Sequence, residues 1–279
     1  MVGQTVAIAI DEAVELVPNK LYRLGGVCPI DDDISWIPKG VEGYEPLSAF
    51  LLLEEDGALL VDTGVPLNKD AVAAQLDSII GREREIQVFL TRFEPDCLAN
   101  MPMLTDLFNI KKVAGGGVSN PFDFFDDLST QEQLRADYNV TMTRLLPTDI
   151  IHVSPTRELS LVVTSIRLLN TFWGYDAATK TLFTSDSFGH VPVSDPSQVP
   201  VVTSENDTAT FEQVRDHHLT KFDWLMGAET APLIADLDKI FATHDVEIIA
   251  PNHGCVLQGA DVVKRHVAMV RRMLTEIEN

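Results

Sequence analysis

The sequence predicts a layered α/β sandwich, and three observations support this prediction. Short apolar runs alternate with segments of helical periodicity early in the chain, and such alternation is typical of parallel strands covered by helices. The middle of the chain is rich in strand patterns, and its end is mostly helical. No internal repeat or low-complexity block interrupts residues 1–279, which we therefore interpret as one domain.

The first half of the chain opens with a hairpin pattern. Two apolar runs flank Asp56-Gly57, and an Asp-Gly pair between apolar runs is a strong hairpin signal. The following helix has apolar residues at helical spacing, including Val72 and Leu76, and stops at Gly81. The predicted elements are the strands Ala49–Leu53, Ala58–Val61 and Ile86–Leu90 and the helices Leu67–Ile80 and Cys97–Phe108.

The second half begins with strands and ends with helices. Long surface loops are predicted over Gly115–Pro121 and Val191–Ser204, because both segments are rich in turn-forming residues. The predicted elements are the strands Ile150–Val153, Leu159–Leu169, Phe172–Tyr175, Thr181–Thr184 and Val246–Ala250 and the helices Phe211–Met226, Ala231–His244 and Ala260–Ile277.

Charge and cysteine content exclude several classes of function. The net charge of −21 repels phosphate backbones and anionic lipids, so we expect neither a nucleic-acid partner nor a membrane partner. The N-terminus lacks the pattern of a secretory signal. Three cysteines without a CxxC pair favour a reducing cytoplasm. Of these, we expect Cys28 and Cys255 to be buried, unreactive thiols, although a reactive role remains the alternative.

Potential metal ligands follow three of the predicted strands. Loops at the carboxyl ends of strands are the usual ligand sites of α/β sheets. Carboxylates, a thiolate and an imidazole that converge there would form a metal site. Taken singly, each residue has a structural alternative, since an aspartate after a strand is usually a turn or a helix cap. The candidate ligands are Glu94, Asp96, Cys97, Asp186 and His253.

The order and spacing of four short motifs resemble those of the metallo-β-lactamase superfamily. These motifs are Asp62-Thr63-Gly64, the loop of Glu94 and Asp96, Thr184-Ser185-Asp186, and Asn252-His253-Gly254. The resemblance implies an αββα sandwich. Within the superfamily, Glu94 and the segment Leu182–Gly189 resemble the flavodiiron proteins and the oxygen-binding di-iron proteins.

The resemblance also implies two metal positions, and the sequence departs from both. Arg92 stands at the first histidine of the family motif, Cys97 at the last, and a gap-free placement puts Arg167 at a later histidine. The first metal set becomes Arg92, Glu94, Arg167 and Asp186, and the second becomes Asp96, Cys97, Asp186 and His253. Arginine has no lone pair to give a metal. We therefore expect the di-iron centre to be lost and an arginine to pair with Glu94 or Asp186.

Two functions remain open. The first is an enzyme that acts on a small molecule with one zinc or iron ion, with Asp96, Asp186 and His253 as its catalytic residues; a fully decayed site is the alternative. A hydrolase needs only one Lewis-acid metal. An oxidoreductase would need a separate electron donor, because we expect no bound flavin in this chain. The second is a metal-free binding or regulatory protein in which Arg92 and Arg167 line an anion pocket. A homodimer is compatible with either.

Overall fold

A computed structural model describes residues 8–9, 12–31, 34–117, 122 and 140–277 of the chain. In these residues, two β-sheets pack against each other between two layers of helices. The predicted α/β sandwich and the αββα arrangement implied by the resemblance are therefore confirmed.

The first sheet contains eight strands. They are β1 (Ile8–Ala9), β2 (Val14–Val17), β3 (Leu21–Pro29), β4 (Tyr44–Glu54), β5 (Gly57–Val61), β6 (Ile86–Leu90), β7 (Ile110–Gly115) and β8 (Thr141–Arg144). Their order is β1-β3-β4-β5-β6-β7-β8, and β2 pairs with β3. The hairpin β4–β5 is present as predicted. Strands β5 to β8 run parallel, as the alternation of strands and helices indicated.

The second sheet contains seven strands. They are β9 (Ile150–Ser154), β10 (Arg157–Val163), β11 (Phe172–Asp176), β12 (Thr181–Ser185), β13 (Val201–Val202), β14 (Ile248–Pro251) and β15 (Val256–Gln258). Their order is β13-β15-β14-β12-β11-β10-β9. Strands β12 and β14 are parallel neighbours, so their carboxyl ends lie at the same edge.

Six helices cover the sheets in the described part of the chain. They are α1 (Lys69–Ile80), α2 (Pro95–Leu98), α3 (Met101–Leu107), α4 (Phe211–Lys221), α5 (Ala231–Thr243) and α6 (Ala260–Ile277). Helix α1 ends at Gly81, whose φ of 66° is accessible to glycine at little steric cost. None of the helices described is both long and apolar enough to cross a membrane.

Three apolar cores hold the layers together. One packs α1 and α3 on the first sheet, for example through Leu76 and Leu60. Another packs α4, α5 and α6 on the second sheet, for example through Val270. The third lies between the sheets, where the rings of Phe50 and Phe183 are 5.4 Å apart. The central strands of each sheet are therefore buried on both faces, which explains why they read as continuous apolar runs rather than as alternating ones.

Several element boundaries differ from the sequence predictions. The predicted strand Leu159–Leu169 ends at Val163, where the chain leaves the sheet. The predicted helix Cys97–Phe108 is two helices that break at Ala99 and Asn100. The predicted loop Val191–Ser204 contains the short strand β13, and the predicted loop Gly115–Pro121 lies partly outside the described residues.

Candidate functional site

The candidate site lies where β6, β12 and β14 end at one edge of the sandwich. Arg92 follows β6, Asp186 follows β12, and His253 follows β14. The backbone N–H of Asn252 donates to the carbonyl of Ser185 at 2.8 Å, which ties the loop after β14 to the end of β12. One ligand atom each from Asp96, Asp186 and His253 lies within 4.8 Å of the others.

Arg92 forms the centre of this site. Its Nε donates to Glu94, one terminal nitrogen donates to the Ser185 hydroxyl, and the other donates to Asp96. The second terminal nitrogen also lies 2.9 Å from an oxygen of Asp186. Burial opposes the charge on Arg92, whose side chain is 1% exposed, but the nearby acidic groups outweigh burial and raise its pKa well above the usual value. The guanidinium is therefore a permanent cation among three carboxylates.

Lys221 supplies a second cation that the motifs did not predict. It is the last residue of α4, and its Nζ lies 2.7 Å from the same Asp186 oxygen that faces Arg92. The ammonium group also lies 5.3 Å from the centre of the Trp36 ring, within the range of a cation–π contact. One carboxylate oxygen of Asp186 is thus placed between two protein cations.

His253 bridges two carboxylates. Its Nε2 is 2.7 Å from Asp96 Oδ2, and its Nδ1 is 3.5 Å from Glu45 Oε1. Trp36 donates from its ring nitrogen to Glu45 at 2.9 Å and packs edge-on against His253. Burial by itself would lower the pKa of His253, but the bonds to Asp96 and Glu45 raise it to about 9. At neutral pH the ring is therefore protonated, and its Nε2 donates to Asp96.

Cys97 lies beside this cluster rather than within it. Its sulfur accepts a hydrogen bond from the Asn252 side chain at 3.3 Å and lies 3.8 Å from the Thr91 hydroxyl. The same Asn252 amide and the Thr91 hydroxyl donate to Asp62, each at 2.7 Å. Burial raises the pKa of the Cys97 thiol well above its usual value. The predicted four-ligand set with Cys97 is therefore reduced to the three residues Asp96, Asp186 and His253 in this geometry.

Two further sets of predicted residues lie outside the site. Arg167 is half-buried and lines a shallow surface pocket with Asn170 and Trp224, so among the described residues it is Lys221 that joins Arg92 at Asp186. Cys28 and Cys255 are buried, and burial raises the pKa of each thiol to about 12.

The sequence matches a known family over most of its length. The profile of the ODP family beta lactamase matches residues 46–254. The chain belongs to the ODP family. A comparison with curated proteins by sequence gave no match.

Several solved structures share the fold of this ODP-family chain. Rubredoxin oxygen:oxidoreductase from Desulfovibrio gigas superposes with a TM-score of 0.62 at 15% sequence identity. The alignment covers 94% of this chain and 61% of the oxidoreductase chain. The Flv1 flavodiiron core from Synechocystis sp. superposes with a TM-score of 0.64 at 20% sequence identity, and the alignment covers 98% of this chain and 61% of the Flv1 chain. The apo state of the chemotaxis sensor ODP from T. denticola superposes with a TM-score of 0.62 at 13% sequence identity, and the alignment covers 92% of each chain. This chain thus spans about three fifths of the two flavodiiron relatives and nearly all of the sensor. The predicted resemblance to the flavodiiron branch is confirmed at the level of the fold.

The side chains of this ODP-family site do not fit a pair of metal ions. Arg92, at the position where the resemblance implies a histidine ligand, has no lone pair to donate, and it forms ion pairs with the carboxylates Glu94, Asp96 and Asp186. Lys221 forms an ion pair with Asp186 as well. Each of these carboxylates therefore already has a cation as its partner.

Proposed function

We propose that this ODP-family chain is a small-molecule-binding protein in which an internal cluster of ion pairs replaces a di-metal centre. The observation that carries the proposal is the position of Arg92, whose buried guanidinium is hydrogen-bonded to Glu94 and Asp96 and forms an ion pair with Asp186. A buried carboxylate needs a partner of opposite charge, and here the protein itself provides one.

The charges of the cluster support this proposal. Arg92 and Lys221 carry two fixed positive charges, and both contact Asp186 Oδ1, at 2.9 and 2.7 Å. Protonated His253 adds a third between Asp96 and Glu45. A metal ion that entered would have to displace Arg92 from Asp96 and Asp186, leaving a buried cation without its partners. Because carboxylates of the protein balance the positive charge of Arg92, we expect no anionic ligand to bind this residue.

The name of one structure with the same fold describes a sensor, which is a protein with a binding role. The T. denticola protein that covers nearly the whole chain is described as a chemotaxis sensor. A sensor needs a change of conformational population that depends on its ligand. At 13% identity this likeness supports the fold, and we extend it to a binding role only as part of the proposal.

The test is a comparison of wild-type protein with Arg92→His. Elemental analysis of wild-type protein purified without chelator should give far less than one zinc or iron per chain, and added Zn²⁺ or Fe²⁺ should leave its Tm unchanged. The Arg92→His variant regains a metal donor next to three carboxylates, so it should be less stable alone but should gain Tm when the metal is added, because a ligand stabilises the state that binds it. Stoichiometric metal that raises the Tm of the wild type would overturn the proposal.

A second candidate function is an enzyme with one metal ion, a hydrolase or an oxidoreductase that acts on a small molecule. The proximity of Asp96, Asp186 and His253, within 4.8 Å of one another, favours it. The same experiment separates the two candidates. For the enzyme, the wild type should take up one zinc or iron ion, and His253→Ala should abolish that uptake, since it removes the imidazole donor.

A further inference from the structure

A pocket lies next to the ion-pair cluster. It has a volume of about 210 Å³ and is lined on one side by Ile30, by the five residues from Ile37 to Val41 and by Glu45, and on the other by α4 and the residues after β12. Glu45 belongs to both regions, because it also contacts His253 of the cluster. The volume exceeds the roughly 150 Å³ of an engineered cavity that holds benzene. The pocket is therefore large enough for one aromatic ring with a short polar substituent.

The walls of the pocket are mostly apolar. Five residues with aliphatic side chains line it, and they would contact the body of an organic ligand rather than a bare ion. These residues are Ile30, Ile37, Pro38, Val41 and Pro192.

One end of the pocket is formed by histidines whose tautomers are fixed by a chain of hydrogen bonds. Nε2 of His266 is 3.2 Å from the carboxylate of Asp207, and Nδ1 of His266 is 2.7 Å from Nε2 of His190. A carboxylate only accepts, so His266 donates from Nε2 and accepts at Nδ1. His190 then donates from Nε2. Burial lowers the pKa of His190 well below its usual value, and the neutral ring is left with an acceptor lone pair at Nδ1.

Two nitrogens at this end of the pocket need hydrogen-bond partners. Within the described residues, Nδ1 of His190 and Nε2 of His217 are buried and have none. Both histidines line the pocket. Buried polar atoms are rarely left unpaired in folded proteins, and an acceptor such as His190 Nδ1 is satisfied by a ligand with N–H groups.

The charges around the pocket favour a cation over an anion. Three acidic residues line it, Glu45, Glu212 and Asp216, against one basic residue, Lys39. The nearby cations Arg92 and Lys221 are bonded to carboxylates of the cluster. With a net charge of −21 for the whole chain, the surrounding potential also attracts cations.

We propose that this pocket binds a small organic ammonium compound, with its apolar body against Ile37 and Pro192 and its ammonium group towards His190, His217 and Glu45. This inference deepens the proposed function and rests on it, since it names the ligand class of a metal-independent binding protein. A primary ammonium group has three N–H donors, which suits the Nδ1 acceptor of His190, the carboxylate of Glu45 and His217 in the neutral tautomer that leaves Nε2 unprotonated.

The first test uses benzylamine as the probe and isothermal titration calorimetry on protein treated with EDTA. Benzyl alcohol and benzoate have the same ring but a neutral and a negative substituent, so they are matched controls. Benzylamine should bind saturably, benzyl alcohol about tenfold more weakly, and benzoate not measurably, because charge-assisted hydrogen bonds are stronger than neutral ones. Absence of saturable benzylamine binding, or benzoate binding of equal strength, would overturn the inference.

Variants locate the binding on the chain. Exposed Glu212 and Asp216 can be neutralised together as Glu212→Gln with Asp216→Asn, which should weaken benzylamine binding about two- to fivefold while leaving benzyl alcohol unaffected. The double variant Glu83→Gln with Glu229→Gln removes the same charge from exposed positions outside the pocket lining, and it should bind like the wild type. His190→Phe keeps a ring but removes the acceptor and should weaken benzylamine binding at least as strongly, in a variant that still unfolds cooperatively. Equal weakening by both double variants would contradict the proposed location.

The outcome is independent of the test of the proposed function. If wild-type protein carries stoichiometric metal and benzylamine still binds after chelation, the proposed function fails and the pocket stands. If the protein is free of metal and benzylamine does not bind, only the ligand class named here fails.

Discussion

Arg92 is a charged residue whose side chain is only 1% exposed to solvent. Glu94 and Asp96, its partners two and four residues away, are 27% and 19% exposed, and Asp186 is 6% exposed. Taking these charges out of water is costly, and only good geometry and additional hydrogen bonds offset that cost. The Ser185 hydroxyl provides one such bond. Arg92 is therefore better interpreted as a residue that fixes one arrangement of the site than as a simple source of stability.

Arg92→Ala should strongly destabilise the protein. The substitution removes the guanidinium partner of Glu94 and Asp96. Among the described residues, Asp186 then keeps Lys221 as a cationic partner. Breaking a buried ion pair from one side typically costs about 3–5 kcal/mol. We expect a loss of that size in the free energy of unfolding, measured by urea denaturation at pH 7.

The matched control for this prediction is Arg82→Ala. Arg82 pairs with Asp77 at 2.9 Å, but its side chain is 56% exposed, and exposed ion pairs contribute about 0–1 kcal/mol. A loss for Arg92→Ala no larger than that for Arg82→Ala would mean that the buried cluster does not hold the site together.

Helix α4 positions two parts of the molecule, since its end carries Lys221 and its middle carries His217. It begins with a capping box, in which the Thr210 side chain accepts from the Gln213 backbone and the Gln213 side chain accepts from the Thr210 backbone. Replacing a threonine N-cap by alanine costs about 0.5–2 kcal/mol. Thr210→Ala should lower the free energy of unfolding by about 1 kcal/mol in urea denaturation. Thr208→Ala, at an exposed position outside the helix, should have almost no effect, and equal losses in the two variants would exclude the cap as the cause.

The histidines between α4 and α6 should make the protein sensitive to acid. Burial lowers the pKa of His218 to about 4, whereas an unfolded histidine titrates near 6.5. The stabilisation is fully present above pH ~6.5. It is lost as the pH falls towards about 4, because the unfolded chain then takes up a proton that the folded chain does not. Between pH 7 and pH 5, wild-type protein should lose about 1–2 kcal/mol more than His218→Phe in urea denaturation.

The comparison with His218→Phe removes contributions that both proteins share, such as those of the other buried histidines. His152→Gln is the control, because the His152 side chain is 66% exposed, and its loss between pH 7 and pH 5 should equal that of the wild type. Parallel pH profiles for wild type and His218→Phe would contradict the prediction.

Elements with a clear local signal were predicted well, and those fixed by distant contacts were not. The hairpin β4–β5 has apolar runs around a turn, and α1 has helical spacing and a glycine stop. The sequence did not predict strand β3, because Gly25 and Gly26 interrupt its apolar pattern. The fold requires a glycine at position 25, where φ is 118° and the backbone approaches the Leu47 carbonyl too closely for a side chain. In the site, the motif predicted Arg92. Lys221 could not be predicted, because only the packing of α4 brings it to Asp186.

At the scale of the whole molecule, acidic side chains outnumber basic ones by 42 to 21. Some of the basic groups are used inside the fold, as with Arg157, which bonds Asp176 in the core and the carbonyls of Lys20 and Leu53 at the other sheet. Those charges hold the layers together but are less available to balance the acidic surface. Self-repulsion of a highly charged surface destabilises the compact state.

Added monovalent salt should therefore raise the stability of this protein. Salt shortens the range of charge interactions, with a screening length near 10 Å at 0.1 M and near 3 Å at 1 M. It weakens exposed ion pairs such as Arg82–Asp77, but the repulsion among excess acidic groups, with a net charge of −21, is the larger effect on the surface. The buried cluster around Arg92 is screened much less. We expect the Tm to rise by about 2–4 °C, the shift that corresponds to about 1 kcal/mol for a chain of this size, when NaCl is increased from about 0.02 M to about 0.5 M. KCl should give the same rise, because screening depends on ionic strength and not on the identity of the cation. A fall in Tm, or a rise with only one of the two salts, would show that surface repulsion does not limit the stability of the fold.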